Sequence, residues 1–489
     1  MQVRTFAIEG LGHLSTLIAD DDTGLAAVVD PRRDVDIYLD AARADNLRIS
    51  HVVETHLHND YVSGGRELAA ITGASHVIGA GADLGHEHRP VRDRESFDVG
   101  GVRFTALDTP GHTPEHVAYD VADTARGADP ALLMTGGSLL VGAVGRTDLL
   151  GEEHALPYAR AMFDSLHATI LAHDDHVAVH PTHGAGSLCA QGIASSPTST
   201  IGYERRHNPI VAIGDVETFA RRLLRDQPAV PRYFARMRPT NQAGPALLGG
   251  RVPEPRPLSV DEARAAVAGD AVVVDLRPPA DHAVGHVPGS VSIPLGPSFG
   301  TWLGWVVEPD RPIVLLLERS GDWDEAIRQA LRIGAETAVI GHLRGGFPAW
   351  ADAGGAIESN GRFTVNQLAD RLGPATASSA GDAPLVIDVR QAAEYAVGHV
   401  PGSVHITAGS LPDRLRELSP DRPVVTICAS GFRASTAASI LRSAGFRDVS
   451  WVAGGVPAWQ AAGYPVVRGD RPDRTPERTP TARTTSPGT

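Results

Sequence analysis

Lysine is absent from this 489-residue chain, so every basic side chain is an arginine. Together with the abundant alanine and glycine, that points to coding bias more than to function. Positive charge is also scarce overall, 44 basic against 58 acidic residues for a net charge of −14. Phosphate recognition rests on clustered positive charge, so nucleic acid is not an expected partner. Long apolar runs are missing too, and none approaches the ~20 residues of a membrane helix. The opening MQVRTFAIEGLGHLSTLIADD lacks the basic start, apolar block and cleavage site of a secretory leader. It reads as strand, turn, strand, and no membrane partner is expected. Cysteine occurs only twice, as Cys189 and Cys428. A disulfide framework is thereby excluded, and a reducing cytoplasm is the natural setting. Free thiols are usually inert buried residues, so the neighbours of these two must argue for any chemistry.

What is present begins with hydrophobic content of 42%, enough for several cores, in a length that suits about three domains. Residues 1–240 alternate short β-rich runs (LAAVVD, ISHVVETH, VRFTALDTPGH, HVAVHPTHG) with helical stretches, which indicates a layered αβ domain. Residues 241–257 are dense in Pro and Gly and read as a linker. Beyond it the chain repeats itself. VVVDLRPPADHAVGHVPGSVSIP (272–294) matches LVIDVRQAAEYAVGHVPGSVHIT (385–407) at an offset of 113 positions. Two copies, 258–356 and 363–467, each alternate buried-looking strands with helices and should be small parallel-sheet α/β domains. Residues 468–489, Pro, Thr and Arg without apolar side chains, read as a disordered tail.

The densest cluster of metal-binding residue types is THLHNDYVSGG (55–65). His56 and His58 follow the apolar run HVVE, so a strand ending there presents them from a loop. His112 in DTPGHTPEH and His183 in VHPTHGAGS again follow β-like runs. Scattered histidines often just cap loops. Four of them at strand ends along one sheet edge, however, are what a metal needs, because neutral imidazole ligates well and a rigid edge fixes the geometry.

These residues resemble the metallo-β-lactamase fold, whose signature is His-x-His-x-Asp-His with later His, Asp and His ligands. The flanking TPGHTPEH, VGRTDLLG and PTHGAGSLCAQ are similar to the persulfide dioxygenase branch that is fused to rhodanese domains. The resemblance implies an αββα first domain and one non-haem Fe(II) that oxidises the outer sulfur of a low-molecular-weight thiol persulfide with O2, giving sulfite. Tyr61 stands where two-metal hydrolases of the fold carry a histidine. A neutral phenol is a poor ligand, so the second site should be empty, leaving His58, Asp60 and His183 as outer-shell or substitute groups. The family's iron ligands carry over as His56 and His112, but Gly137 in MTGGSLL occupies the place of the expected aspartate. The two-histidine, one-carboxylate set suited to Fe(II) is therefore short of its carboxylate, and iron should bind weakly. His58, Ser138, Asp148, an external anion or the substrate's own sulfur are candidates to fill the gap. Cys189, in GAGSLCAQG, matches a cysteine near the metal pocket of rhodanese-fused members, which implies a sulfur relay. Tyr203 and Arg205 in IGYERR are expected to line the thiol pocket.

In the last domain, VVTIC ends on Cys428 and ASGFRASTAASILRSAG starts a helix. A sulfur anion at such a strand-to-helix turn is cradled by free N–H groups and the positive end of the helix dipole. Gly431 allows the tight loop, and Arg433 can hold the terminal charge of thiosulfate or a persulfide. Cys-x-x-Gly-x-Arg here, with DVR (388–390), GHVPGS (398–403) and GGVPAW (454–459), resembles the rhodanese family of sulfurtransferases. The resemblance implies that Cys428 carries sulfane sulfur as a persulfide, while Asp388, Arg390 and His399 hold the scaffold together. In the middle copy Leu317 falls opposite Cys428, with Trp323 and Asp324 near the arginine's place. Covalent sulfur transfer is excluded there, leaving a spacer or docking module.

The expected function is a cytoplasmic persulfide dioxygenase and sulfurtransferase for sulfide detoxification, acting on thiol persulfide, O2, thiosulfate and sulfite. A homo-oligomer is compatible with fused tandem domains, which often pair. Two alternatives stand beside it. One is a thiosulfate sulfurtransferase whose first domain is metal-poor and inactive. The other is a zinc thioester hydrolase, against which Tyr61 and Gly137 both weigh.

Overall fold

The computed structural model describes residues 1–225, 227–373 and 383–469. The tail expected from residue 468 lies, from residue 470 on, outside the described residues. By internal contact the chain resolves into two units: Met1–Leu276 with Ile293–Ala353, and Arg277–Ser292 with Gly354 onward.

The first unit opens on two six-stranded sheets. One orders the strands Gln2–Ile8, His13–Ala19, Leu25–Val29, Arg48–Val53, Ser75–Gly79 and Arg89–Val91; the other orders Ser199–Thr200, Ala178–Pro181, Leu132–Gly136, Val117–Asp123, Val102–Asp108 and Ser96–Val99. Alternate side chains of the two sheets meet in a core that includes Ile18, Val29, Val53, Val77, Phe104, Tyr119 and Met134. The outer faces are covered by helices. Tyr38 and Leu68, from Asp36–Ala44 and Gly65–Thr72, pack on the first sheet; Met162 and Phe219, from Glu152–Asp164 and Val216–Leu224, pack on the second. The result is the expected αββα sandwich.

Residues 241–257 begin inside the helix Phe234–Ala243 and then lie along the first domain. Buried Glu67 accepts hydrogen bonds from the backbone N–H groups of Leu248 (2.8 Å) and Gly250 (2.7 Å), and Arg66 donates to the carbonyls of Gly244 and Pro245, both at 2.9 Å. Backbone satisfaction fixes this segment despite its Pro and Gly content.

Strands Pro257–Leu258, Val339–Leu343, Ile313–Leu316 and Val272–Asp275 pair in parallel in that order. Four-residue runs such as IVLL are buried at every position, as a sheet covered on both faces requires. This layer docks on the sandwich through charge. The Arg332 guanidinium grips the fully buried Asp34 at 3.0 and 2.7 Å, its carbonyl accepts from Val62 N–H at 2.7 Å, and Arg328 reaches Asp36 at 3.0 Å. Burial opposes the charge on Arg332, but Asp34 more than restores it and raises its pKa. Replacing Arg332 removes the two-pronged partner of a buried carboxylate and leaves it only Arg32 at 3.1 Å and Arg328 at 3.7 Å. Arg332→Met should therefore lower the stability of this unit by about 3 kcal/mol, read as an earlier urea midpoint; an unchanged midpoint would show the pair to be incidental.

In the second unit, Gly361–Phe363, Val449–Val452, Val424–Ile427, Leu385–Asp388 and Val404–His405 form a parallel five-stranded sheet. Asp388 binds the Arg390 guanidinium at 2.7 Å, Arg390 donates to Gly398 O at 2.7 Å, and His399 Nδ1 donates to Tyr395 O at 2.9 Å. These residues tie the sheet to the following loop.

Candidate metal centre and thiol loop

Five strands of the sandwich deliver the candidate metal-binding residues at their carboxyl ends. Leu25–Val29 leads to Asp30, Arg48–Val53 to His56, Val102–Asp108 to His112, Leu132–Gly136 to Gly137, and Ala178–Pro181 to His183. Asp30 is the hub beneath them. Its carboxylate accepts from Thr55 N–H (2.8 Å), Thr55 Oγ1 (2.9 Å) and the Thr182 hydroxyl, and it lies 3.3 Å from His58 Nε2. Its carbonyl accepts from His13 Nε2 (2.9 Å) and from the Tyr61 hydroxyl (3.4 Å). Asp30, Thr55 and His13 were not singled out from the sequence. Asp30 does carry the same signal as the histidines, a polar residue ending an apolar run.

The hydrogen bonds fix which nitrogen of each ring is bare. Thr55 Oγ1 gives its proton to Asp30, so at 2.8 Å it accepts from His56 Nδ1 and leaves Nε2 as a lone pair. The Arg146 carbonyl, which can only accept, takes the Nδ1 proton of His112 at 2.7 Å, so His112 Nε2 is bare as well. His183 Nδ1 sits 3.1 Å from Asp60 Oδ2. The Nε2 atoms of His56, His112 and His183 are all buried with no hydrogen-bond partner. A buried, unpartnered lone pair is costly, and those of His56 and His112, each oriented from behind by a hydroxyl or a carbonyl, suit metal ligation, with His183 backed by the Asp60 carboxylate beside them. His116 is different. Its Nε2 accepts from Gly137 N–H at 2.9 Å while Nδ1 donates to Thr109, so it braces the backbone and offers nothing to a metal.

Burial, reinforced by neighbouring rings, pushes the pKa of His56 far down and that of His112 to about 3, so both are neutral ligands at ordinary pH. Burial opposes a charge on His183 too, but Cys189 and Asp60 beside it reverse the sign and raise its pKa well above the usual value. Burial raises the Cys189 thiol.

Metal-capable atoms within 4.8 Å of one another fall into two buried triplets, His56–His58–His183 and His112–His183–Cys189. His183, expected as an outer-shell or substitute group, is the member common to both. His56 and His112, expected to share an ion, stand in different triplets. Two of the candidate substitutes for the missing carboxylate are engaged elsewhere, whereas His58 stands in the first triplet. Ser138 Oγ donates to Thr135 O at 2.6 Å, and both Asp148 oxygens accept from Arg146, at 2.6 and 2.8 Å. The structure does not bring Tyr203 or Arg205 to the histidines. Tyr203 is 54% exposed with its ring tilted against that of His207, and Arg205 bonds Asp175 and the carbonyls of Leu171 and His173. Their helix, Ile201–His207, turns Ile201, Gly202 and Glu204 inward instead, which nearness to Cys189 in sequence could not reveal.

Cys428 lies in the second unit, directly after the strand Val424–Ile427, and is fully buried. Gly431 N–H points at its sulfur from 3.0 Å and begins the helix Phe432–Ser443. Gly431 has φ +114°, and a Cβ there would meet the Trp451 ring at 2.8 Å, so the loop requires glycine on both counts. Arg433, expected to be free for substrate, is held by Glu394 at 2.6 and 2.8 Å. Leu317 of the middle copy is buried, and Gly346 approaches its carbonyl as Gly455 approaches that of Cys428. The frame is repeated while the thiol is not.

Comparison with known proteins agrees with this layout. A model of the metallo-beta-lactamase superfamily matches residues 8–125, and a model of the rhodanese-like domain matches residues 259–353 and 366–462. A metallo-beta-lactamase structure from Staphylococcus aureus subsp. aureus COL is 30% identical with a TM-score of 0.62, covering 70% of this chain and 98% of that one. The structure of ETHE1 from Myxococcus xanthus is 28% identical with a TM-score of 0.43, covering 50% and 99%. A hydroxyacylglutathione hydrolase from Methylococcus capsulatus is 38% identical over 115 residues, 22% of this chain; the chain spans 43% of that relative's length. No helix among the described residues is long and apolar enough to cross a membrane.

Proposed function

The chain belongs to the metallo-beta-lactamase superfamily and carries two rhodanese-like domains, and on that premise we propose that it is a cytoplasmic enzyme of sulfane sulfur with two working sites. At the first, sulfur is transferred through Cys428. At the second, a low-molecular-weight thiol persulfide is oxidised to sulfite.

The observation that carries the reading is the main-chain N–H of Gly431 aimed at the Cys428 sulfur from 3.0 Å, at the head of a helix. Amides so placed favour negative charge on sulfur, both in the thiolate and in the adduct. The Cys428 thiolate attacks the outer sulfur of thiosulfate. The new S–S bond leaves Cys428 as a persulfide, and sulfite departs with the electron pair of the broken bond. An acceptor such as cyanide then takes the outer sulfur and returns the thiolate.

In the first domain, His56 and His112 would hold one iron, whose bound form supplies the activation of O2. The residues around it exclude water, orient the two rings and keep them neutral. The overall oxidation consumes O2 and water with each persulfide and returns the thiol, sulfite and two protons. Tyr61 supports a single-metal reading. Its hydroxyl is buried, donates to Asp30 O and has its pKa raised well above the ordinary value by burial, so it stays a neutral phenol. The same feature weighs against a two-zinc thioester hydrolase, the activity suggested by the similarity to hydroxyacylglutathione hydrolase. Purified protein should contain iron by elemental analysis and consume O2 with glutathione persulfide while sulfite accumulates. Iron-free protein with full sulfurtransferase activity would instead leave Cys428 as the sole working site, the reading that Gly137 favours. Hydrolysis of acyl-glutathione without O2 would overturn the dioxygenase half.

A further inference from the structure

We infer that the sulfur of Cys189 is a metal ligand, completing with His112 and His183 the set that lacks a carboxylate at position 137. The inference rests on the single-metal half of the proposed function, keeps His112 as a ligand, and puts His183 and Cys189 in the place given there to His56, which stands in the other triplet.

Position 137 cannot simply be refilled, because a Cβ on Gly137 would lie 2.2 Å from the His112 ring. The imidazole occupies the space through which a side chain there would enter. On its other side the ring is hemmed by Gly145, whose own Cβ would lie 3.2 Å from His112 Nδ1. His112 meets a different partner instead: its ring nitrogen, that of His183 and the Cys189 sulfur are all buried within 4.8 Å of one another. One observation independent of the cysteine points to an ion there: His112 Nε2 is wholly buried and unpartnered while its Nδ1 faces Arg146 O. His183 is backed by Asp60 and interacts with Cys189 itself.

The loop that carries Cys189 is built to present it. Ser187 Oγ accepts from Cys189 N–H at 3.1 Å. Arg146 N–H donates to Cys189 O at 2.8 Å, and the Arg146 guanidinium donates to Leu188 O at 3.0 Å. Arg146 is also the residue whose carbonyl orients His112. One peptide unit on either side of its Cα therefore fixes two of the three ligands, and Asp148, binding the guanidinium through both oxygens, fixes Arg146. Asp148 thus serves as a positioning residue, two atoms groups removed from the ion. On metal binding an S–metal bond replaces the S–H bond and the proton leaves for solvent, as thiolate ligation requires. Two imidazoles and a thiolate make a softer donor set than two imidazoles and a carboxylate, and suit borderline divalent ions.

The test uses the full chain, stripped by chelator and reloaded with Co(II) alone. Wild-type protein should show a thiolate-to-cobalt charge-transfer band in the near ultraviolet. Cys428→Ser, which removes the other thiol, should keep that band, and Cys189→Ser should lose it and bind cobalt at least ~10–100-fold more weakly. X-ray absorption on the wild-type cobalt protein should show one sulfur scatterer, a readout that does not depend on any variant folding. A band that survives Cys189→Ser, or wild-type protein with no cobalt–sulfur path, overturns the inference. The cobalt band with no O2 uptake by separately iron-loaded protein would defeat the dioxygenase proposal and uphold this ligand set; O2 uptake by the iron-loaded protein without the cobalt band would do the reverse.

Discussion

Cys428→Ser should abolish formation of thiocyanate from thiosulfate and cyanide, a loss of about 10³-fold or more, since the covalent carrier is removed outright. Serine is nearly isosteric, and its oxygen can still accept from Gly431 N–H, so the loop and the 3.0 Å contact should survive the change. What disappears is the sulfur on which the transferred atom rides. Binding of thiosulfate should therefore persist while turnover stops, a pattern that separates chemical loss from unfolding. Gly431→Ala tests the cradle from the other side. It keeps the thiol but forces a side chain into left-handed backbone and against Trp451, so activity and stability should fall together. The middle copy offers no bypass, because Leu317 takes the equivalent place. A Cys428→Ser protein that made thiocyanate at the wild-type rate would defeat the sulfurtransferase assignment.

Both candidate sites are legible in sequence wherever a side chain with unmistakable chemistry ends an apolar run. His56, His112 and His183 are found that way, and so is Cys428 after VVTI. The repeat at an offset of 113 positions exposed the two rhodanese-like domains without any structural help. Three things stayed hidden for physical reasons. Backbone groups have no letter of their own, so Arg146, whose N–H and C=O orient Cys189 and His112, reads only as an exposed-type arginine in GRTD. Pairings across long separations are also silent: Arg433 finds Glu394 39 positions away, and a guanidinium expected to face substrate is partly neutralised. Finally, nearness along the chain says nothing of which face a helix buries: the helix starting at Ile201 turns Ile201, Gly202 and Glu204 inward and leaves Tyr203 exposed. Asp30 is the instructive omission. Carboxylates at strand ends are common, so the letter alone did not separate a hub that binds Thr55, Thr182 and His58 from an ordinary turn residue.

Gly137→Asp is the substitution that sequence alone recommends, since it restores the family's carboxylate and should on that ground raise both iron content and O2 uptake. The structure reverses the expectation. The new Cβ would stand 2.2 Å from the His112 ring, which is held in place by its bond to Arg146 O. Overpacking of this kind costs about 1–3 kcal/mol, and an uncompensated carboxylate in a buried site adds a penalty of about 3–5 kcal/mol in the metal-free protein. Chelator-treated Gly137→Asp should therefore melt well below chelator-treated wild type, and its cobalt affinity should fall because His112 is driven off the ion. Gly137→Ala separates the two effects: it brings the steric clash without the charge, and should weaken metal binding while costing less stability. Should Gly137→Asp instead bind metal more tightly with its melting temperature intact, His112 would have to be free to swing aside, and the three-ligand set built on His112, His183 and Cys189 would give way to the ordinary carboxylate centre.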